Sequence, residues 1–223
     1  IFLNGNPRDI SSISSRQKEY IYYVTKKLLD DTVRLWAEWH GEKAISDQRD
    51  AELIENDEIT IAGGEDGFAE LLRNPNMYQK YKTQNQVLEE IIDNGLCNIA
   101  NEVGTQKIGN PYREQDVYAV ESWYSFNSLD DYENNIISIE NSYLGGPAAT
   151  RKSETSMSAY VASKNSDLDA EITKAISDAR KAIRDIPAPF RDQVTKGKVA
   201  TIDTAMDKLA ELNKSLKKIK SVL

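Results

Sequence analysis

Apolar residues recur along this chain at spacings of three and four, the beat of an amphipathic helix, and five stretches keep it. After the turn-like "NGNPRD" (Asn4 to Asp9), Ile21, Val24, Leu28, Leu35 and Trp39 form a stripe, with Thr32 in its gap and Gly41 as a stop. That pattern predicts a helix of about seven turns. Asn74 and Pro75 precede a second helix, marked by Tyr81, Leu88, Ile92, Leu96, Ile99 and Val103 and expected to end near Gly104 or Gly109. The third rests on Leu129, Tyr132, Ile136, Ile139 and Tyr143, and "YLGGPAAT" closes it with paired glycines and a proline. Ser163 to Ile186 reads as the fourth, with Leu168, Ile172, Ile176, Ala179, Ile183 and Ile186 on one face before the "IPAPF" corner. The fifth carries Ile202, Met206, Leu209, Leu216, Ile219 and Leu223 at near-heptad spacing. Between the first two, Glu58 to Ala62 offers at most a short strand or a loop. Long helices with almost no β-like sequence predict an all-α protein, an antiparallel helical bundle, with Leu28, Leu96, Ile136, Ile176 and Leu209 in its cores.

The third helix raises a question. Between Glu121 and Gly146 its apolar beat is crowded by Ser, Asn and Asp, which compete with the helix for backbone hydrogen bonds. Ser128 followed by Asp131 predicts a capping box and a helix start at Asn127 or Ser128. Asp131, Asn135, Ser138 and Ser142 then form a polar stripe beside the apolar seam. Polar groups at the border of a core need partners, and another domain, ordered water or a ligand would each supply them. Exposed polarity with no partner explains the pattern equally well.

Charge and chemistry narrow the functional classes. With 28 Lys plus Arg against 36 Asp plus Glu, the net charge of -8 argues against a nucleic-acid partner. The most basic run, "KSLKKIK" (Lys214 to Lys220), sits at a helix end, where cations complement the macrodipole. No apolar run reaches the roughly 20 residues needed for a transmembrane span. The opening "IFLNGNPRDI" lacks the basic region of a signal peptide and begins without Met, which reads as a mature or truncated product. The one cysteine, Cys97, lies beside Leu96 and Ile99 and is expected to be buried, reduced and inert. His40 is the only histidine; Lys43 and Ala44 stand where a companion carboxylate would be needed, so its place beside Gly41 reads as a helix end. Glu38 and Glu42 read as solvated charge, and "GGEDG" (Gly63 to Gly67) lacks the Lys of a phosphate loop. Neither Ser122 nor Ser125 has a histidine base in a recognisable arrangement.

"VESWYSFNSLDDYENNIISIENSYLG" (Val120 to Gly145) resembles the imelysin-like family, and so, in order along the chain, do "NPRDIS", "KKLLDDTVRLWAEW", "KIGNP" and "LDAEITKAISDARKAIRDIPAPF". The resemblance implies an all-α bacterial envelope protein, periplasmic or an outer-membrane lipoprotein, built from two helical-bundle domains and linked to iron uptake. It implies that residues 1–223 are the C-terminal bundle, and that the N-terminal domain and the family's G-x-H-x-x-E motif lie upstream of Ile1. On that reading the partners are the protein's own N-terminal domain and envelope iron-uptake components, and iron and zinc are the candidate metals. Glu121, Ser122, Ser125 and Asn127, with Asp131 and Asn135 further along the helix, are then expected to complete a polar site facing that domain. The family match adds Lys107 as a counter-charge. A metallopeptidase and a non-catalytic interaction bundle are the competing functions.

Overall fold

A computed structural model describes residues 9–45, 51–52, 55, 64–75 and 81–223, and the expected strand or loop at Glu58 to Ala62 lies outside them. The chain divides into two compact units, residues 1–88 and 89–223. Among the described residues every regular element is helical, as the apolar beat predicts.

In the first unit, α1 spans Ser15–His40. Its start is fixed by a capping box in which the Ser14 hydroxyl accepts from the Gln17 amide and the Gln17 side chain accepts from the Ser14 amide at 3.0 Å. Gly41 ends it with φ +84°, beside the first residue of α2 (Gly67–Arg73). A Cβ on Gly41 would stand 2.3 Å from the Glu65 carbonyl oxygen, and one on Gly67 only 2.2 Å from the Gly41 nitrogen. Two backbones meet here, and only glycine leaves room for both. Trp39 packs its ring 5.8 Å from Phe68 across the same junction.

The apolar stripe of α1 is where the sequence reading fails. Leu28 is 66% exposed and Leu35 70%, and Val24 and Trp39 are exposed as well, so Leu28 shares no core. The buried positions are Asp30 and Ala37, with Val33 and Ile45 packed on Ala37. Nine residues separate Leu28 from Ala37, which at 3.6 residues per turn puts them on opposite sides of the helix. Periodicity establishes that a stripe exists, but tertiary contacts choose which face is covered.

α3 runs over residues 84–114, all but its first five residues in the second unit, and includes two π-helical segments, Ile91–Cys97 and Val103–Gly109. The expected stop at Gly104 or Gly109 does not occur; the helix continues to Glu114 and is capped by left-handed Gln115. Both glycines serve close approach instead. A Cβ on Gly104 would press to 3.1 Å from the Leu209 Cβ, and one on Gly109 to 2.8 Å from the Gly104 carbonyl. After a turn-rich segment come α4 (Ser128–Leu144), α5 (Met157–Lys164), α6 (Ser166–Arg184), the short α7 (Arg191–Val194) and α8 (Ala200–Lys217). The fourth helix expected from Ser163 is thus two helices. Asn165 leaves the helical conformation and its side chain accepts from the Leu168 amide at 3.0 Å, which starts α6 afresh.

α8 packs on α6 and α3, and α4 packs on α6, α5 and the middle of α3. The enclosed core takes in Ile92, Leu96, Tyr132, Ile136, Ile176 and Leu209 together with Phe190 from the "IPAPF" corner. Cys97 is buried in it, its Sγ 4.0 Å from the Asn213 carbonyl oxygen, and desolvation followed by the nearby Asp93 charge pushes the thiol up from its ordinary range. Truncating Ile136 or Leu209 to Ala should cost about 2–5 kcal/mol in urea unfolding of this chain, whereas Leu28→Ala should stay within about 0.5 kcal/mol. A thiol reagent should modify Cys97 slowly in buffer and quickly in denaturant, because reaction needs an accessible thiolate.

Candidate functional site

The polar segment ahead of α4 is held by the first turns of that helix. Residues 121–126 turn back on themselves, with Ser122 at φ +56° and Phe126 at φ +61°. Left-handed backbone at two non-glycine residues persists only where surroundings fix it, and Asp131 holds the Ser122 end of this turn. One of its carboxylate oxygens accepts from the Ser122 hydroxyl and the other from the Asn127 side-chain amide at 2.7 Å. The Ser128 hydroxyl reaches back to donate to the Glu121 carbonyl at 2.5 Å. The helix does start at Ser128, with Asn127 as its cap, but the expected capping box is not formed. Ser128 and Asp131 bond the preceding turn instead of each other's amides, since the turn's free backbone and hydroxyl groups lie within reach of the open end of α4.

Lys107 comes to the same place from the second π-helical segment of α3. Its ammonium lies 3.2 Å from the Glu121 carboxylate and 3.7 Å from Glu102, and its side chain is only 17% exposed against 48% for Glu121. Tyr132, fully buried, donates its hydroxyl to the Lys107 carbonyl at 3.1 Å and sets its ring edge-on to Phe190. Desolvation, reinforced by the charge of Glu121, raises the Tyr132 phenol well above its usual range.

Of the residues singled out in the sequence, Lys107 and Glu121 form one ion pair, while Ser122, Asn127 and Asp131 form one hydrogen-bonded clamp. Ser125 is exposed and donates to the Ser122 carbonyl at 3.2 Å. The Asn135 amide donates to the Asp131 carbonyl at 2.6 Å and Ser138 to the Asn135 carbonyl at 2.6 Å, so this part of the polar stripe is satisfied within its own helix. Residues outside the stripe complete the arrangement. Arg191 donates to the Trp123 carbonyl at 3.0 Å and lies 3.7 Å over the Phe126 ring, bracing the turn from the far side of the "IPAPF" corner. No spacing rule links Arg191 to Phe126, 65 positions earlier; only the fold does.

Among the described residues no group of three or more His, Cys, Asp or Glu side chains could hold a metal ion. Asp131 already accepts at both oxygens, and Glu121 is neutralised by Lys107. These residues therefore do not by themselves fit iron or zinc; Glu121 could contribute one ligand to a site completed by groups from elsewhere.

Comparison with known proteins places this geometry in context. The family model for the imelysin peptidases (Peptidase M75) matches residues 5–216. The chain belongs to the imelysin family. It is 30% identical over 144 residues to iron-regulated protein A of Synechococcus elongatus, a match covering 62% of this chain and 38% of that protein. The crystal structure of an imelysin peptidase from Bacteroides ovatus superposes with a TM-score of 0.69 at 38% identity, over 87% of this chain and 51% of that one. That of a protein from Parabacteroides distasonis, designated an iron-regulated protein A precursor, gives 0.74 at 31% identity, over 99% and 60%. The imelysin chain described here thus spans less than two thirds of the length of each of these relatives. No helix among its described residues is long and apolar enough to cross a membrane.

The Tyr132 environment gives a pH test. A phenol whose folded pKa is raised adds stability that is fully present below the unfolded value of about 10 and is lost as pH climbs above it. Tyr143, raised by burial and then by its hydrogen bond to Asp169, acts in the same direction. Urea unfolding should show stability falling above about pH 10, and Tyr132→Phe should flatten that fall while costing about 1 kcal/mol at neutral pH through the lost hydrogen bond.

Proposed function

We propose that this chain is the C-terminal bundle portion of an iron-related envelope protein and that the Lys107–Glu121 pair, on the turn clamped by Asp131, forms one wall of a binding site for a metal or an iron-related ligand. The remaining wall comes from the part of the protein that precedes this chain. The observation that carries this reading is the turn itself: it holds two left-handed non-glycine residues, Ser122 and Phe126, is tied through Ser122 and Asn127 to the Asp131 carboxylate, and presents a half-exposed Glu121 beside a mostly covered Lys107. Strain of this kind is kept at binding and catalytic sites more often than elsewhere. The names of two relatives support the link to iron, and the designation of one as a precursor supports export to the envelope.

The roles divide accordingly. Glu121 meets the ligand or the facing domain, Lys107 balances its charge, and Ser122, Asn127 and Asp131 hold position; Ser125 and Asn135 extend the polar rim. In the full-length protein, Glu121→Ala should weaken Fe(III) or Zn(II) binding, followed by calorimetry, by about tenfold, equivalent to roughly 1.4 kcal/mol. Asp131→Ala should weaken it similarly through a loosened turn, with circular dichroism nearly unchanged. Wild-type affinity in both variants would refute the site. Metal-dependent cleavage of peptides by the same preparation, lost in Glu121→Ala, would instead support the peptidase activity for which the family is named.

A further inference from the structure

A second site is built into the opposite use of α3. Where that helix packs against α8, a cleft of about 400 Å³ opens, within the range of small-ligand pockets. Its α3 wall carries Asn101, Gly104, Thr105 and Arg113, and its α8 wall carries Asn213, Lys214 and Lys217. The second π-helical segment begins at Val103, at this wall, and π-helical turns recur at functional sites. Gly104 forms part of the floor, where a Cβ would press on Leu209.

The charges are what distinguish this cleft. Most cations of the second unit are paired, among them Lys208 with Glu211, Lys218 with Glu171 and Lys220 with Asp93. Arg113, Lys214 and Lys217 make no ion pair among the described residues; Arg113 has only a 3.4 Å contact to the Thr105 carbonyl. All three line one cavity in a protein of net charge -8, with Asp207 as the carboxylate on its wall. Asn213 lines the same cavity, and its Oδ1 is buried without a hydrogen-bond partner among the described residues. A buried acceptor left unpaired is costly, and a hydroxyl reaching Asn213 would relieve that cost.

We infer that the cleft between α3 and α8 binds a small hydroxylated polycarboxylate, its carboxylates meeting Arg113, Lys214 and Lys217 and its hydroxyl donating to Asn213. The planar guanidinium of Arg113 takes a carboxylate through two parallel hydrogen bonds, and the two lysines, one turn apart on α8, take the others as point charges. The cleft is open to solvent, so the binding weakens with salt.

Calorimetry on the purified chain at low ionic strength tests this with citrate, with propane-1,2,3-tricarboxylate, which lacks the hydroxyl, and with a sugar phosphate. Citrate should bind, and about tenfold more tightly than the tricarboxylate, the equivalent of one good hydrogen bond. Arg113→Gln combined with Lys217→Gln should reduce citrate affinity at least tenfold. Asn213→Ala should remove the preference for citrate over the tricarboxylate while leaving the latter's affinity unchanged. Lys152→Gln and Lys198→Gln, which remove charge elsewhere in the same unit, should leave citrate binding as in the wild type. No citrate binding, or equal losses in the cleft and control variants, would overturn the site. Tighter binding of the sugar phosphate than of citrate would overturn the ligand class. Because the cleft and the Glu121 turn share no side chain, each can fail without the other.

Discussion

The burial of Tyr132 is the contact on which the second unit's arrangement turns. Its ring lies fully inside, on α4, and meets Phe190 from the "IPAPF" corner edge-on, while its hydroxyl is tied to the backbone of α3 at Lys107. One side chain thus joins three elements that are distant in sequence. A buried phenol needs a partner for its O–H, and the Lys107 carbonyl is that partner. The hydrogen bond sets the depth at which α4 rests on α3, and so places Lys107 beside Glu121. The turn before α4 inherits its position from the same contact, and Asp131, one position back along the helix, then fixes its conformation.

Close approach of α3 and α8 depends on a second constraint, the absence of a side chain at Gly104. Leu209 packs against that bare backbone, and the cleft lies along the same contact, with Gly104 and Leu209 both in its lining. The π-helical segments belong to the same accommodation, since each widens the helix locally and shifts the register of side chains that follow.

Electrostatics separates framework from function. On the α4–α6 face, Arg180 bridges Glu133 and Glu140, Arg151 pairs with Glu140 at 3.1 Å, and Arg184 joins Glu133, a closed network with every charge answered. Such a network can pin two helices in register but has little left for a ligand. The Glu121 turn and the α3–α8 cleft differ from it. In one, a carboxylate stays half exposed beside its counter-ion; in the other, three cations line a cavity and make no ion pair among the described residues.

The sequence by itself determined the all-α class, most helix positions, the membership in the imelysin family and the burial of Leu96, Ile136, Ile176 and Leu209. These follow from local periodicity and from ordered motifs, which are properties of the chain read residue by residue. It also brought forward Ser122, Asn127 and Asp131, because polar residues crowding an apolar seam stand out. It misjudged Leu28, Gly104, Gly109 and the Ser128–Asp131 pair for one shared reason. Each is decided by what lies across from it: which face of α1 is covered, whether a second backbone needs the room of a missing Cβ, whether a hydroxyl finds a helix amide or a turn carbonyl. The Arg191 brace, the Tyr132 tie and the cluster of Arg113, Lys214 and Lys217 were beyond reach altogether. They join residues tens of positions apart, and only the packing of helices against one another brings such groups within bonding distance.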